Sequence, residues 1–99
     1  MSGGDCVRET LTILNRRGLH ARASARFVTI ASGFAAEVTV SREGSTVTGT
    51  SIMGLMMLAA GPGDEIEIAA RGTDAPAALA ALAALVRSGF GEDLNGLSA

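Results

Sequence analysis

The spacing of apolar residues changes along this 99-residue chain, and this change restricts the possible folds more than any other feature. Apolar and polar residues alternate in four short segments, which is typical of half-buried strands: about residues 7–14, 37–40, 46–50 and 65–70. Apolar residues recur at helical spacing in three other segments: about residues 21–32, 52–58 and 75–88. The sequence therefore predicts an α+β fold in the order β-α-β-β-α-β-α, with helices packed on one face of a single sheet.

The same patterns predict which side chains face the core. On the strands these are the alternating apolar residues Val7, Leu11, Ile13, Val38, Val40, Ile66 and Ile68. On the helices they are the residues at helical spacing, Ala23, Phe27, Ile30, Ala31, Leu55, Leu58, Leu79, Leu82, Ala83 and Val86. Ser51 and Asp74 stand where helix N-caps belong, and Gly33 and Gly89 suit helix ends.

No repeat or linker interrupts the sequence, so residues 1–99 are predicted to form one domain with flexible ends at 1–6 and 94–99. The single cysteine, Cys6, excludes an internal disulfide and offers no spacing for a metal site. Residues 1–5 lack the features of a signal peptide, and the apolar stretch 52–60 is too short to span a bilayer. These features favour a cytoplasmic protein that neither inserts into a membrane nor holds a metal.

The only histidine, His20, follows Gly18-Leu19 and precedes a run of helix formers. We expect it at the first turn of a helix, where free backbone N–H groups favour a bound anion. A neutral imidazole there is a competent nucleophile toward phosphorus. A histidine that merely ends a loop and bonds to the backbone explains the same position equally well.

Positive charge is concentrated around His20. Residues 10–36 contain Arg16, Arg17, Arg22 and Arg26 but no acidic residue, although the whole chain has a net charge of −2. This concentration of positive charge suits a site that binds a phosphate transiently, and Arg22 is near enough to contact it. A run of basic residues is, however, usually only a solvent-exposed face. The overall acidity argues against a nucleic-acid partner. Since no second histidine, carboxylate pair or catalytic triad accompanies His20, a carrier is favoured over an autonomous enzyme.

The segment Ser51 to Leu58 is the second notable feature. Ser51 is an ordinary N-cap, yet phosphorylation there would place a dianion at a helix N-terminus. The apolar residues of the segment from Ser51 to Leu58 cover more than one helical face, so some of them are predicted to be exposed and to bind a partner: Ile52, Met53, Met56 and Met57. Methionines that fill an irregular core are the alternative. Gly54 within this helix indicates a close approach by another element.

Two of these segments resemble a known family at the correct spacing. Gly18-Leu19-His20-Ala21-Arg22 resembles the active-site motif of the histidine-containing phosphocarrier (HPr) family of the bacterial phosphotransferase system. Thr50-Ser51-Ile52-Met53-Gly54-Leu55 resembles its serine-phosphorylation segment, and the likeness covers about residues 7–93. It implies an open-faced β-sandwich: a four-stranded antiparallel sheet with three helices on one face.

The resemblance also implies roles for single residues. His20 would accept a phosphoryl group on Nδ1 from enzyme I, charged by phosphoenolpyruvate, and donate it to an enzyme IIA without a cofactor. Arg22 would match the active-site arginine, and Ser51 the serine that an HPr kinase/phosphorylase modifies in some bacteria. The docking surface for enzyme I and IIA would comprise Ala21, Ile52, Met53, Met56 and Met57.

The sequence also departs from the usual pattern of the family. Ala23 replaces the proline that normally follows the active-site arginine, and we expect function to survive this change. The methionine-rich segment 51–58 and the ending 85–93 look more like the nitrogen-related, NPr-like branch. A sugar-transport HPr and a ferredoxin-like domain that binds a small ligand are the alternatives. An RNA-binding sheet is disfavoured because Phe27, Phe34 and Phe90 all fall outside the predicted strands.

Overall fold

A computed structural model describes residues 6–92 of the protein. The elements follow one another as β1 (Cys6–Thr12), α1 (Ala21–Ala31), β2 (Glu37–Arg42), β3 (Ser45–Thr48), α2 (Ile52–Met57), β4 (Glu65–Arg71) and α3 (Ala75–Arg87). The four strands form one antiparallel sheet in the order β1-β4-β2-β3. The three helices cover one face of this sheet, so the predicted α+β open-faced sandwich is confirmed.

The core lies between the sheet and the helices. Alternate strand residues and one stripe of each helix meet there, including Leu11, Val40, Ile66, Ile68, Phe27, Leu55, Leu82 and Val86, all of which are buried. Three predicted core residues, Val7, Ile30 and Leu79, are only half-buried. Val7 lies on the edge strand β1, and the other two lie at the edge of their helical stripes. On α3 the buried positions include Ala75 and Ala78 instead, whose small side chains let the helix approach the sheet closely.

A two-residue turn connects β2 and β3. Glu43 and Gly44 both have positive φ, 49° and 87°, as the tight turns favoured in twisted hairpins require. Arg42 ends β2 and pairs with Ser45 across the turn. Cys6 was predicted to lie in a flexible end and instead begins β1, while the other predicted flexible residues, 1–5 and 94–99, lie outside the described residues.

The two predicted N-caps have different outcomes. The Ser51 side chain accepts a hydrogen bond from the Gly54 N–H at 2.9 Å, so it caps α2 as expected. Asp74 is the N-cap residue of α3 as predicted, but its side chain makes no cap bond to the helix. Its Oδ2 instead accepts from the Ala35 N–H at 2.8 Å, because the loop after α1 passes close to the start of α3. Asp74 therefore begins α3 through its backbone, since the Ala78 N–H donates to its carbonyl at 2.8 Å, while its side chain joins the two loops.

The helices are short. The longest in residues 6–92 is α3, with 13 residues, and none of those described there has the length and apolar character needed to cross a bilayer.

Candidate functional site

The loop between β1 and α1 is fixed by its contact with the chain that follows α2. The Leu19 N–H donates to the Ala60 carbonyl at 3.0 Å, and the Leu19 side chain is buried. Gly18 has a φ of +60°, and a Cβ added there would lie 2.1 Å from the same Ala60 oxygen. Only glycine fits at this position, so the direction in which the chain enters α1 is set by Gly18 and Leu19.

His20 is the N-cap of α1, one residue before the predicted first turn. Its backbone is extended, with φ −74° and ψ 179°, and its Nδ1 accepts a hydrogen bond from the Arg22 N–H at 3.2 Å. The imidazole nitrogen thus takes the place of the serine or aspartate oxygen that usually caps a helix. A nitrogen that accepts a hydrogen bond holds a lone pair, so Nδ1 is unprotonated beside the free N–H groups of the first turn.

Glu92 is the functional neighbour that sequence reasoning missed. Its Oε2 contacts His20 Nε2, and its Oε1 accepts from the buried Asn15 Nδ2 at 3.1 Å. No acidic residue was predicted to pair with His20, because the segment 10–36 around it contains none. The partners lie 72 positions apart, beyond the reach of local patterns. The available signal was Phe90, an aromatic residue between two glycines just past the helix end.

The environment of Glu92 favours its charged form. Burial alone would raise the pKa of this carboxyl group, but hydrogen bonds from His20 and Asn15 and the charge of Arg17 outweigh burial and lower the pKa. Glu92 is therefore a carboxylate at neutral pH, facing the ring nitrogen opposite Nδ1.

The four arginines of the basic segment have different surroundings. Arg22 is exposed on the first turn of α1, and its guanidinium has no hydrogen-bond or ion-pair partner within residues 6–92. Arg16 and Arg17 are exposed in the loop before His20. Arg26 donates to the Phe90 carbonyl, so it holds the end of the described chain against α1. Arg22 thus presents a guanidinium without a partner in residues 6–92, two positions after His20 on the first turn of α1.

An exposed apolar surface, which we call the α2 patch, comprises Ile52, Met53, Met56 and Met57. Their exposed fractions are 42%, 68%, 40% and 77%, whereas Leu55 and Leu58 are buried. The methionines therefore do not fill the core, as the alternative required. Ala21, the other predicted docking residue, is exposed at the start of α1, which packs against α2. Leu14 is also exposed, at 48%, and had not been singled out from the sequence.

Gly54 explains how α2 lies so close to β3. A Cβ at Gly54 would lie 3.2 Å from the Val47 Cβ and 3.2 Å from the Ser51 Oγ. The predicted close approach is therefore that of β3. Leu55 and Leu58 occupy the buried side of α2, and Met53, Met56 and Met57 are exposed.

Groups that could hold a metal are scattered. Within residues 6–92, no three histidine, cysteine, aspartate or glutamate side chains are close enough to share a metal ion. Cys6 is a free, exposed thiol on an edge strand.

An open-faced sheet with a histidine capping its first helix is the arrangement that the resemblance to the phosphocarrier family implies. The family profile described as "PTS HPr component phosphorylation site" matches residues 7–88. The chain belongs to the HPr family of the phosphotransferase system.

Individual relatives agree with this assignment. The phosphocarrier protein HPr of Neisseria meningitidis is 48% identical over 87% of this chain and 97% of its own length. The phosphocarrier protein NPr of Shewanella violacea is 43% identical over 87% of this chain and 94% of its own. The crystal structure of HPr from Thermoanaerobacter tengcongensis superposes with a TM-score of 0.84 at 39% identity, covering 88% of this chain and 98% of that one.

Proposed function

We propose that this protein relays a phosphoryl group from phosphorylated enzyme I to an enzyme IIA through Nδ1 of His20, in the cytoplasm. The observation that carries the proposal is the hydrogen bond of 3.2 Å from the Arg22 N–H to Nδ1 of His20 at the N-terminus of α1, from which we infer that Nδ1 carries no proton. This nitrogen is both nucleophilic and close to groups that stabilise an anion. Residues 6–92 bring no further acid or base to that nitrogen, which suits a carrier whose partners supply the remaining catalytic groups.

The transfer step is simple. The Nδ1 lone pair attacks phosphorus, the N–P bond forms, and the bond from phosphorus to its donor atom on enzyme I breaks with its electron pair staying on the donor. No proton leaves Nδ1, since it carries none. The phosphoryl group then lies at a helix N-terminus, which stabilises negative charge by about 0.3–1 kcal/mol. The hydrogen bond from the Arg22 backbone N–H to Nδ1 breaks as the N–P bond forms, which frees this N–H to donate to a phosphoryl oxygen, and the Arg22 guanidinium can bond to the others.

The test is phosphorylation with purified enzyme I and phosphoenolpyruvate. We expect about one acid-labile, alkali-stable phosphate per chain, which passes on to an enzyme IIA. A wild-type protein that accepts no phosphate, or one that cannot pass it on, would contradict the relay.

We infer that the relay belongs to the nitrogen-related branch. The methionine-rich α2 patch and the ending at residues 85–93 support this branch, and relatives named HPr and NPr are both similar to the chain. A sugar-transport HPr remains the second candidate because the Neisseria protein carries that name. The two are separated by kcat/KM with each type of enzyme I. A higher value with the sugar-type enzyme would assign the chain to sugar transport.

We further propose that enzyme I and IIA dock on the α2 patch together with Ala21. Met53→Glu should slow phosphotransfer at low protein concentration, since a charge replaces an apolar anchor that is 68% exposed. A loss of about 1–2 kcal/mol would raise KM roughly 5–30-fold while leaving kcat nearly unchanged. Steady-state transfer from enzyme I measures both constants.

The matched control for Met53→Glu is Ala80→Glu, which puts the same charge on an exposed position of α3. Both variants should fold, as judged by circular dichroism and urea unfolding. Equal KM values in the two variants would remove Met53 from the docking surface.

Ser51 is our proposed site for regulatory phosphorylation by an HPr kinase/phosphorylase. Its Oγ now accepts the Gly54 N–H at 2.9 Å, so Ser51→Ala should cost about 1 kcal/mol of stability through the lost cap. Incubation with ATP and the kinase should give acid-stable phosphate on the wild type and none on Ser51→Ala. If the wild type takes no phosphate, Ser51 is a cap only.

A further inference from the structure

We propose that Glu92 is a positioning residue that holds His20 in the Nε2–H tautomer and orients the ring so that Nδ1 is the nucleophile. The proposal rests on the proposed phosphoryl relay, which it deepens. Glu92 lies in the segment that follows α3, so this segment takes part in the site.

The two nitrogens of His20 have different partners. Nδ1 accepts from the Arg22 N–H at 3.2 Å, so the proton of the neutral ring lies on Nε2. Nε2 meets Glu92 Oε2, an acceptor that requires this proton. The ring is therefore held by a donor on one side and an acceptor on the other, and only one tautomer satisfies both.

The carboxylate of Glu92 is itself held in place. Asn15 is fully buried, and its Nδ2 donates both to Glu92 Oε1 at 3.1 Å and to the Gly18 carbonyl at 2.9 Å. Turning the amide over would aim its oxygen at two acceptors. In the present orientation Asn15 Oδ1 has no hydrogen-bond partner within residues 6–92. An unpaired buried oxygen is unfavourable, and the two hydrogen bonds that Nδ2 donates offset this cost.

The backbone conformation of residues 89–91 brings Glu92 next to His20. Gly89, Phe90 and Gly91 all have positive φ, of 68°, 58° and 76°. The first two close α3, with bonds from the Gly89 N–H to Val86 and from the Phe90 N–H to Leu85, both at 2.9 Å. Positive φ is unfavourable for phenylalanine. The conformation is held because the ring is fully buried and the Phe90 carbonyl accepts from Arg26.

Glu92 can assist transfer through the ring. A carboxylate that accepts the Nε2–H of a histidine fixes its tautomer and makes the opposite nitrogen more basic. Positive charge develops on the imidazole as the N–P bond forms at Nδ1, and the adjacent carboxylate stabilises it. The proton stays on Nε2 throughout, so Glu92 itself touches neither the phosphorus nor the donor.

The test compares wild type, Glu92→Gln and the control Glu65→Gln, which removes a carboxylate from an exposed position of β4. Nitrogen-15 NMR of the unphosphorylated protein should show Nδ1 unprotonated and a downfield Nε2–H protected from exchange. We expect Glu92→Gln to lose that protection and to lower kcat for transfer from enzyme I about 10–100-fold at unchanged KM. Glu65→Gln should match the wild type in both measurements.

The failures can be told apart. An Nε2–H signal or a kcat that is the same in wild type and Glu92→Gln overturns the positioning role. If the wild type shows the protected Nε2–H but accepts no phosphoryl group, the relay is wrong. The role of Glu92 in fixing the tautomer of His20 is then still supported. If Glu92→Gln raised KM and left kcat unchanged, Glu92 would belong to the docking surface, and the proposal would be contradicted.

Discussion

Replacing Gly18 with alanine should destabilise the protein by about 2–5 kcal/mol, the largest stability loss that we expect from adding one methyl group. The added Cβ would lie 2.1 Å from the Ala60 oxygen and 2.9 Å from the Gly61 Cα, both backbone atoms that no rotamer change can move. Overpacking of this kind costs about 1–3 kcal/mol, and a positive φ adds about 1–2 kcal/mol for alanine. Urea unfolding measures the total.

The matched control for Gly18→Ala is Gly44→Ala. Gly44 also has a positive φ, of 87°, but a Cβ there would meet nothing within 4 Å. The control therefore carries the backbone penalty without the clash, and Gly18→Ala should lose at least about 1 kcal/mol more. Equal losses would mean that the contact with Ala60 does not hold the loop. The folded fraction of Gly18→Ala should also accept phosphate more slowly, because the same loop positions His20.

Replacing His20 with alanine should abolish phosphate transfer from enzyme I while leaving the protein folded. The variant has no nitrogen nucleophile, since His20 is the only histidine in the chain. The lost N-cap should cost about 0.5–2 kcal/mol, well within the stability of a small domain. Incorporation of labelled phosphate and urea unfolding measure the two effects separately.

His20→Asn separates the chemistry from the capping. Asparagine is a good N-cap, so its side chain can accept the Arg22 N–H that Nδ1 now accepts. We expect this variant to recover the stability that His20→Ala loses and still to take no phosphate. Acid-labile label in either variant would mean that the acceptor is another residue.

The fold was largely predictable from the sequence because it follows from local periodicity. The alternation of Ile66 and Ile68 with charged residues indicates a strand with one buried face, and both side chains are buried. Ser51 follows the rule for helix caps, which depends on neighbours only three residues away. The exposure of Met53 and Met57 was predictable because Leu55 and Leu58 already supply the buried side of α2.

The contacts that complete the site were not predictable in this way. Glu92 reaches His20 across 72 positions, through a turn that depends on the burial of Phe90. Asp74 has the sequence of a helix cap, but a tertiary contact with Ala35 uses its side chain instead. Both depend on which loops meet at the ends of the sheet. Local propensity does not contain that information, so the partner of the imidazole had to be found in the structure.

Locating the phosphoryl group by phosphorus-31 and nitrogen-15 NMR tests the assignment of His20 Nδ1 most directly. The protein, labelled with nitrogen-15 in its histidine ring, is phosphorylated with enzyme I and phosphoenolpyruvate. We predict a one-bond phosphorus–nitrogen coupling to Nδ1 of His20, with Nε2 still protonated and the signal lost on mild acid treatment. Coupling to Nε2, or an acid-stable phosphoester at Ser51 in place of phosphohistidine, would contradict it.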